Sequence, residues 1–178
     1  MQIKYLADYK RVIPTIARWS YEEWSYLHPE RTVSDVEKIM LERSNKDKLP
    51  LILIALEKGK VIGMIALKIS DLESHPDIGP WLAGLYVEKG HRNKGVGSNL
   101  VRAIEQKAAK LKVKKMYLFT SDTVEFYLML NWTVRERTEW QGRLVTVMEK
   151  EIVKDYRTTG TPLSFKFRLR FYSPGKAL

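Results

Sequence analysis

The sequence predicts an α/β fold, a mixed central sheet with helices on both faces. Three observations point there. Apolar runs of strand length alternate with stretches of helical period along most of the chain. Two of these runs are joined by a turn so short that they must form an antiparallel hairpin. No internal repeat or long linker divides them, and 178 residues suffice for one domain with a real core.

Taken in order, "QIKYL" reads as a first strand. "DYKRVIPTIARWSYEEW" sets Val12, Ile16, Trp19 and Trp24 at helical spacing, with Pro14 expected near the helix start or at a kink. "TVSDVEKIMLERSN" opens with Thr32 and Asp35 in a capping-box arrangement and carries Val36, Ile39 and Met40 on one face. "PLILIALEKGKVIGMIALKI" reads as two strands around a Lys-Gly turn, and "SDLESHPDIGP" as a polar, turn-rich loop. "WLAGLYV" looks like a buried strand. After it, Val96, Leu100, Val101, Ile104, Ala108 and Leu111 mark one face of a helix. "KKMYLFT" is another strand, "TVEFYLML" a short helix and "RLVTVMEKEI" a late strand. Residues 1–152 are thus expected to form the folded domain, and 153–178 a C-terminal extension.

Composition excludes several function classes. There is no cysteine, so disulfides, thiolate zinc sites and cysteine nucleophiles are ruled out together. The three histidines, His28, His75 and His91, are widely spaced, and no metal site is expected. The N-terminus lacks the apolar core of a secretion signal, and no apolar run approaches membrane-spanning length; a cytoplasmic protein is expected. The formal charge is +10, and half of the excess lies in residues 153–178, where six basic residues face Asp155 alone. Such a balance suits anionic ligands without naming one.

The densest motif is "GHRNKGVGS", residues 90–98, placed between a strand and a helix. A Walker P-loop fails here, because Val96 and Gly97 stand where Lys and Ser/Thr belong. A Rossmann fingerprint fails as well, with Leu100 in place of the third glycine. The pattern R-x-x-G-x-G fits, through Arg92, Gly95 and Gly97. Glycines let a backbone wrap closely round a diphosphate, and the following helix offers unpaired amides and a favourable dipole. On these residues alone a ligand-free turn capping the helix is an equal alternative.

The segment "LYVEKGHRNKGVG" together with "TVEFYLMLNW" resembles the GCN5-related N-acetyltransferase (GNAT) superfamily over residues 50–152, and within it a bacterial branch sharing "PWLA..YV". Phe126, Tyr127 and Trp132 match the family's F-Y-x-x-x-G-F element, with Asn131 in place of its glycine; Asn also tolerates the left-handed backbone that ends such a helix. The resemblance implies a GNAT-like sheet with a splayed strand pair at the cofactor site, and acetyl-CoA as co-substrate. It implies that Leu85 and Val87 bond the pantetheine arm, the Val87 N–H polarising the thioester carbonyl. Arg92, Asn93, Lys94, Gly95, Val96, Gly97 and Ser98 would hold the diphosphate. Thr120 stands where many members carry a cofactor-binding asparagine, and a hydroxyl could replace part of that contact; a satisfied threonine at the strand end is an equal alternative. Tyr127 matches the general acid that protonates the departing thiolate.

The base is left open between Asp71, Glu73, His75 and a water chain, since the strand "WLAGLYV" has no acid. The aromatic group Trp19, Tyr21, Trp24 and Tyr26 could wall an acceptor groove, although core packing accounts for Trp19 and much of the rest more simply. "SFKFRLRF", residues 164–171, alternates apolar and basic side chains like a half-buried strand, and an added edge strand or a homodimer arm is expected of it. A basic-aromatic arm for nucleic acid or a membrane is the disfavoured alternative. The expected function is transfer of an acetyl group from acetyl-CoA to a primary amine, of a small molecule or of a peptide or protein. The competing class is a non-catalytic CoA-binding or nucleic-acid-binding module on the same fold.

Overall fold

The structure, a computed structural model, describes residues 1–152. The strand and dimer arm expected of residues 153–178 lie outside the described residues. Among the described residues seven strands form one sheet: β1 (Gln2–Tyr5), β2 (Leu51–Glu57), β3 (Lys60–Lys68), β4 (Trp81–Val87), β5 (Lys115–Thr120), β6 (Thr133–Trp140) and β7 (Arg143–Glu151), in the spatial order β1-β2-β3-β4-β5-β7-β6. Only β4 and β5 are parallel, and the sheet is mixed as expected. The helices are α1 (Ile13–Trp24), α2 (Val33–Glu42), α3 (Val96–Lys110) and α4 (Val124–Leu128). The first begins later than its apolar pattern suggested, because Pro14 occupies the first turn and short 3-10 turns precede it.

Alternation along β2 assigns the two faces. Leu51, Leu53 and Ala55 pack with Leu100, Val101 and Ile104 of α3, while Ile52, Ile54 and Leu56 pack with Ile16 and Ala17 of α1 and Met40 of α2. Leu100, Val101 and Ile104 are fully buried, each contributing on the order of 2 kcal/mol by the area it removes from water. The hairpin turn between β2 and β3 places Lys58 and Gly59 at φ 48° and 78°, the paired left-handed residues of a turn matched to strand twist.

One strand was not expected. Residues 133–140, "TVRERTEW", form β6 and pair antiparallel with β7 from Thr133 against Glu149 to Trp140 against Arg143. Most of its side chains are exposed, so it has no apolar face for a sequence pattern to reveal.

The central departure from regularity is in β4. Opposite β3 the register moves from Met64 with Tyr86 to Ala66 with Ala83, so β4 carries an extra residue, a bulge. Gly84 sits there at φ 57°, a left-handed conformation that costs a side-chain-bearing residue roughly 1–2 kcal/mol. On its other side β4 meets β5 at a single register pair, Trp81 with Tyr117. Beyond it the two parallel strands diverge and open a wedge in the sheet.

Candidate active site

The wedge continues into a cleft of about 1090 Å³ whose wall includes Leu85 and Val87 from β4, the first turn of α3, Thr120 at the end of β5, and Phe126 and Tyr127 of α4. Gly95 is the residue before α3, at φ 77° and ψ 3°, and no side chain caps the helix. The amides of Val96, Gly97 and Ser98 therefore have neither intrahelical nor side-chain acceptors, which is the arrangement an anion fits. Asn93, at φ 59°, gives the loop a second left-handed residue.

The two cations of the loop act on its shape first. Arg92 Nε donates to the Val87 carbonyl at 2.9 Å, and its guanidinium lies over the Tyr86 ring at 5.5 Å. Lys94 Nζ donates to the Gly90 carbonyl at 2.9 Å. Arg92, Asn93, Gly95, Val96, Gly97 and Ser98 line the cleft; Lys94 does not. Its ammonium reaches back along the loop.

Tyr127 is buried, its ring edge-on to Phe126 at 5.0 Å and to Trp132 at 6.1 Å. Burial, and secondarily the Asp122 carboxylate, push its pKa well above the usual phenol value, so it stays protonated throughout the neutral range. Asn131, at φ 61°, closes α4 as its glycine-like position requires, with the Trp132 N–H donating back to the Tyr127 carbonyl. Lys150 Nζ pins the same turn through the Leu130 carbonyl at 2.7 Å and Glu105 at 2.8 Å. Thr120 borders the cleft, but its hydroxyl already accepts from the Thr123 N–H at 3.1 Å and pairs with Thr123 Oγ1 at 2.7 Å.

The other half of the cleft is made of side chains. Tyr21, Trp24 and Tyr26 line it, whereas Trp19 stacks on Tyr86 in the core at 5.2 Å. Arg143, from the start of β7, lies over the Tyr26 ring at 4.5 Å and so bridges the β6–β7 hairpin to the segment after α1. Of the three side chains offered as base, Asp71 and Glu73 reach the cleft and His75 does not. His75 bonds Ser74 and Glu136 instead. Asp71 is held in a close ion pair with Lys68.

Gly84, Arg43 and Arg143 also line the cleft and were not singled out from sequence. For Gly84 a signal existed: an isolated glycine inside an apolar strand marks a bulge or a close approach. Arg43 and Arg143 carry no local pattern at all.

The stretch that holds the glycine-led, uncapped helix and the diverging strand pair lies within residues 13–131, which match the model of the Acetyltransferase (GNAT) family. The chain belongs to the GNAT family. The family is one of acetyltransferases. Among solved structures, an aminoglycoside 6'-N-acetyltransferase complexed with coenzyme A is 18% identical with a TM-score of 0.66, the match covering 86% of this chain and 98% of that one. The protein yncA from Salmonella typhimurium, solved with its cofactor acetyl-CoA, is 16% identical with a TM-score of 0.66 over 93% of this chain and 99% of that one. A ribosomal-protein-alanine N-acetyltransferase from Brucella melitensis is 14% identical, TM-score 0.66, over 85% and 99%. These likenesses establish the GNAT fold. A search of the curated proteins finds no match. Among the described residues no group of side chains could hold a metal ion, and no helix is long and apolar enough to cross a membrane.

Proposed function

We propose that the protein moves the acetyl group of acetyl-CoA to a primary amine by direct attack within a ternary complex. The observation that carries this reading is the placement of Tyr127, buried and neutral, in the same cleft as the uncapped first turn of α3. The α3 amides and Gly95 take the diphosphate, and Leu85 and Val87 of the diverging strand bond the pantetheine arm. The Val87 N–H is the donor to the thioester oxygen.

In the chemical step the amine nitrogen, having lost a proton to water or a carboxylate of the cleft, attacks the thioester carbon. The carbonyl oxygen becomes an oxyanion, and its collapse breaks the carbon–sulfur bond. Tyr127 donates its proton as negative charge develops on sulfur, an intrinsically ~8.5 pKa thiol, and regains one from solvent. Starting from an ammonium ion, the products are an amide, a thiol and one released proton. The structural relatives named above act by their titles on an aminoglycoside and on a ribosomal-protein alanine, so both small and peptide amines fall within the class of acceptor.

The test is Tyr127→Phe. The ring and its packing are kept and only the hydroxyl is lost, so turnover should fall about 10²- to 10⁴-fold, as for a missing general acid. Acetyl-CoA affinity by calorimetry should be unchanged. Unaltered turnover would reduce Tyr127 to packing.

A further inference from the structure

The acceptor half of the cleft contains a cation that makes no close ion pair among the described residues. Arg43 lies at the C-terminal end of α2, is half-buried, and lines the cleft. Among the described residues it has no carboxylate within 4 Å, whereas the neighbouring cleft charges are largely engaged. Lys68 is paired with Asp71. Arg31 Nε lies 3.5 Å from Glu30, and Arg143 is stacked on Tyr26. Of the other acids lining the cleft, Glu23 faces Arg92 at 3.9 Å, while Glu73 and Asp122 are exposed. Burial is the main influence depressing the pKa of Arg43; Asp71 opposes it, Arg31 reinforces it, and Glu42 opposes it least. A guanidinium does not relieve that cost by losing its proton at neutral pH, so it calls for an anion.

We infer that the acceptor carries a carboxylate near its reacting amine, and that Arg43 binds this carboxylate. The inference rests on the acetyltransferase reading above and names the substrate class of the same site. A planar guanidinium meets a carboxylate through two parallel hydrogen bonds, which fixes orientation as well as charge. Tyr21, Trp24 and Tyr26 offer the apolar wall for the rest of such a molecule, an amino acid or a compound of that shape. A polycationic acceptor such as an aminoglycoside would bring several ammonium groups beside Arg43, with Asp71 already neutralised.

The experiment compares matched acceptors, L-leucine with L-leucinamide and L-phenylalanine with L-phenylalaninamide, by thiol release from acetyl-CoA, with kanamycin and a short peptide alongside. The carboxamides have the less basic amines, so a site indifferent to the carboxylate would acetylate them faster. The expected result is the reverse, kcat/KM higher for at least one free acid by about tenfold or more, as one charge-assisted pair would give. Arg43→Gln should remove that preference while leaving acetyl-CoA affinity unchanged, and Arg43→Lys should restore part of it. A preference for kanamycin or for the carboxamides overturns the inference and leaves the transferase reading standing. Should none of these amines be acetylated, or Arg43→Gln fail to fold, the wild-type protein with CoA is titrated with 3-phenylpropionate and 3-phenylpropanamide. Heat of binding from the acid alone supports the anion pocket, and its absence sinks it.

Discussion

Helices α2 and α3 begin in opposite ways. The first closes its own N-terminus: Thr32 Oγ1 accepts from the Asp35 N–H at 3.3 Å, and the Asp35 carboxylate accepts from the Thr32 N–H at 3.0 Å. The second is preceded by a left-handed glycine and carries no side-chain cap and no acid in its first turn. Both helices bury an apolar face against the sheet, so packing does not explain the contrast. A capping box is worth about 1 kcal/mol, and α3 does without it beside a cleft. On the proposed reading, the difference separates a helix start made for stability from one left open for the diphosphate.

The largest effect should come from disturbing the open start itself. Gly95→Val places a β-branched residue at φ 77°, a strain on the order of 1–3 kcal/mol. The loop relieves it by moving, which misdirects the amides of α3. Acetyl-CoA affinity by calorimetry should fall about 100-fold, equivalent to roughly 2.7 kcal/mol. Wild-type affinity in a folded Gly95→Val protein would remove the diphosphate from this turn.

A smaller change makes α3 resemble α2. Ser98 occupies the third position of α3, as Asp35 does in α2, so Ser98→Glu puts a carboxylate where the capping box has one. Charge and dipole then favour the helix by about 0.3–1 kcal/mol, while the same charge repels a diphosphate. Melting temperature of the protein without ligand should hold or rise, and CoA affinity should drop about tenfold. Opposite signs in the two measurements are the signature, because general damage to the fold would lower both.

The same contrast decides what could be read in advance. The cofactor half is written in local sequence. Arg92, Gly95 and Gly97 form a motif because backbone geometry demands those residue types at that spacing, and Tyr127 follows in a second motif on α4. The hairpin at Lys58 and Gly59 was legible for a similar reason. The turn of Gln141 and Gly142, at φ 48° and 73°, has the same form, and it was the available clue to β6, whose charged alternation hid the strand. The splay beside β4 followed from the family resemblance, but the bulge and the residue that makes it, Gly84, did not. The acceptor half has no local signature. Trp24, Arg43, Asp71 and Arg143 come from four separate stretches, and only the fold brings them to one cleft.

The smallest effect tests the closed start. Thr32→Ala removes the hydroxyl that accepts from the Asp35 N–H and donates to the Asp35 carboxylate at 2.6 Å. Stability should fall by about 1 kcal/mol, read as a lower denaturant midpoint, with CoA affinity unchanged. The loss should also depend on pH. Hydrogen bonds from Thr32, side chain first and backbone second, hold the Asp35 carboxyl below its usual range. A depressed carboxyl stabilises the fold above its unfolded pKa and ceases to do so as pH falls through its folded value. The gap between wild type and Thr32→Ala should therefore be full at neutral pH and shrink toward strongly acid conditions. A mutation in α2 that weakened CoA binding as much as Ser98→Glu would mean that the two helix starts differ in sequence without differing in function.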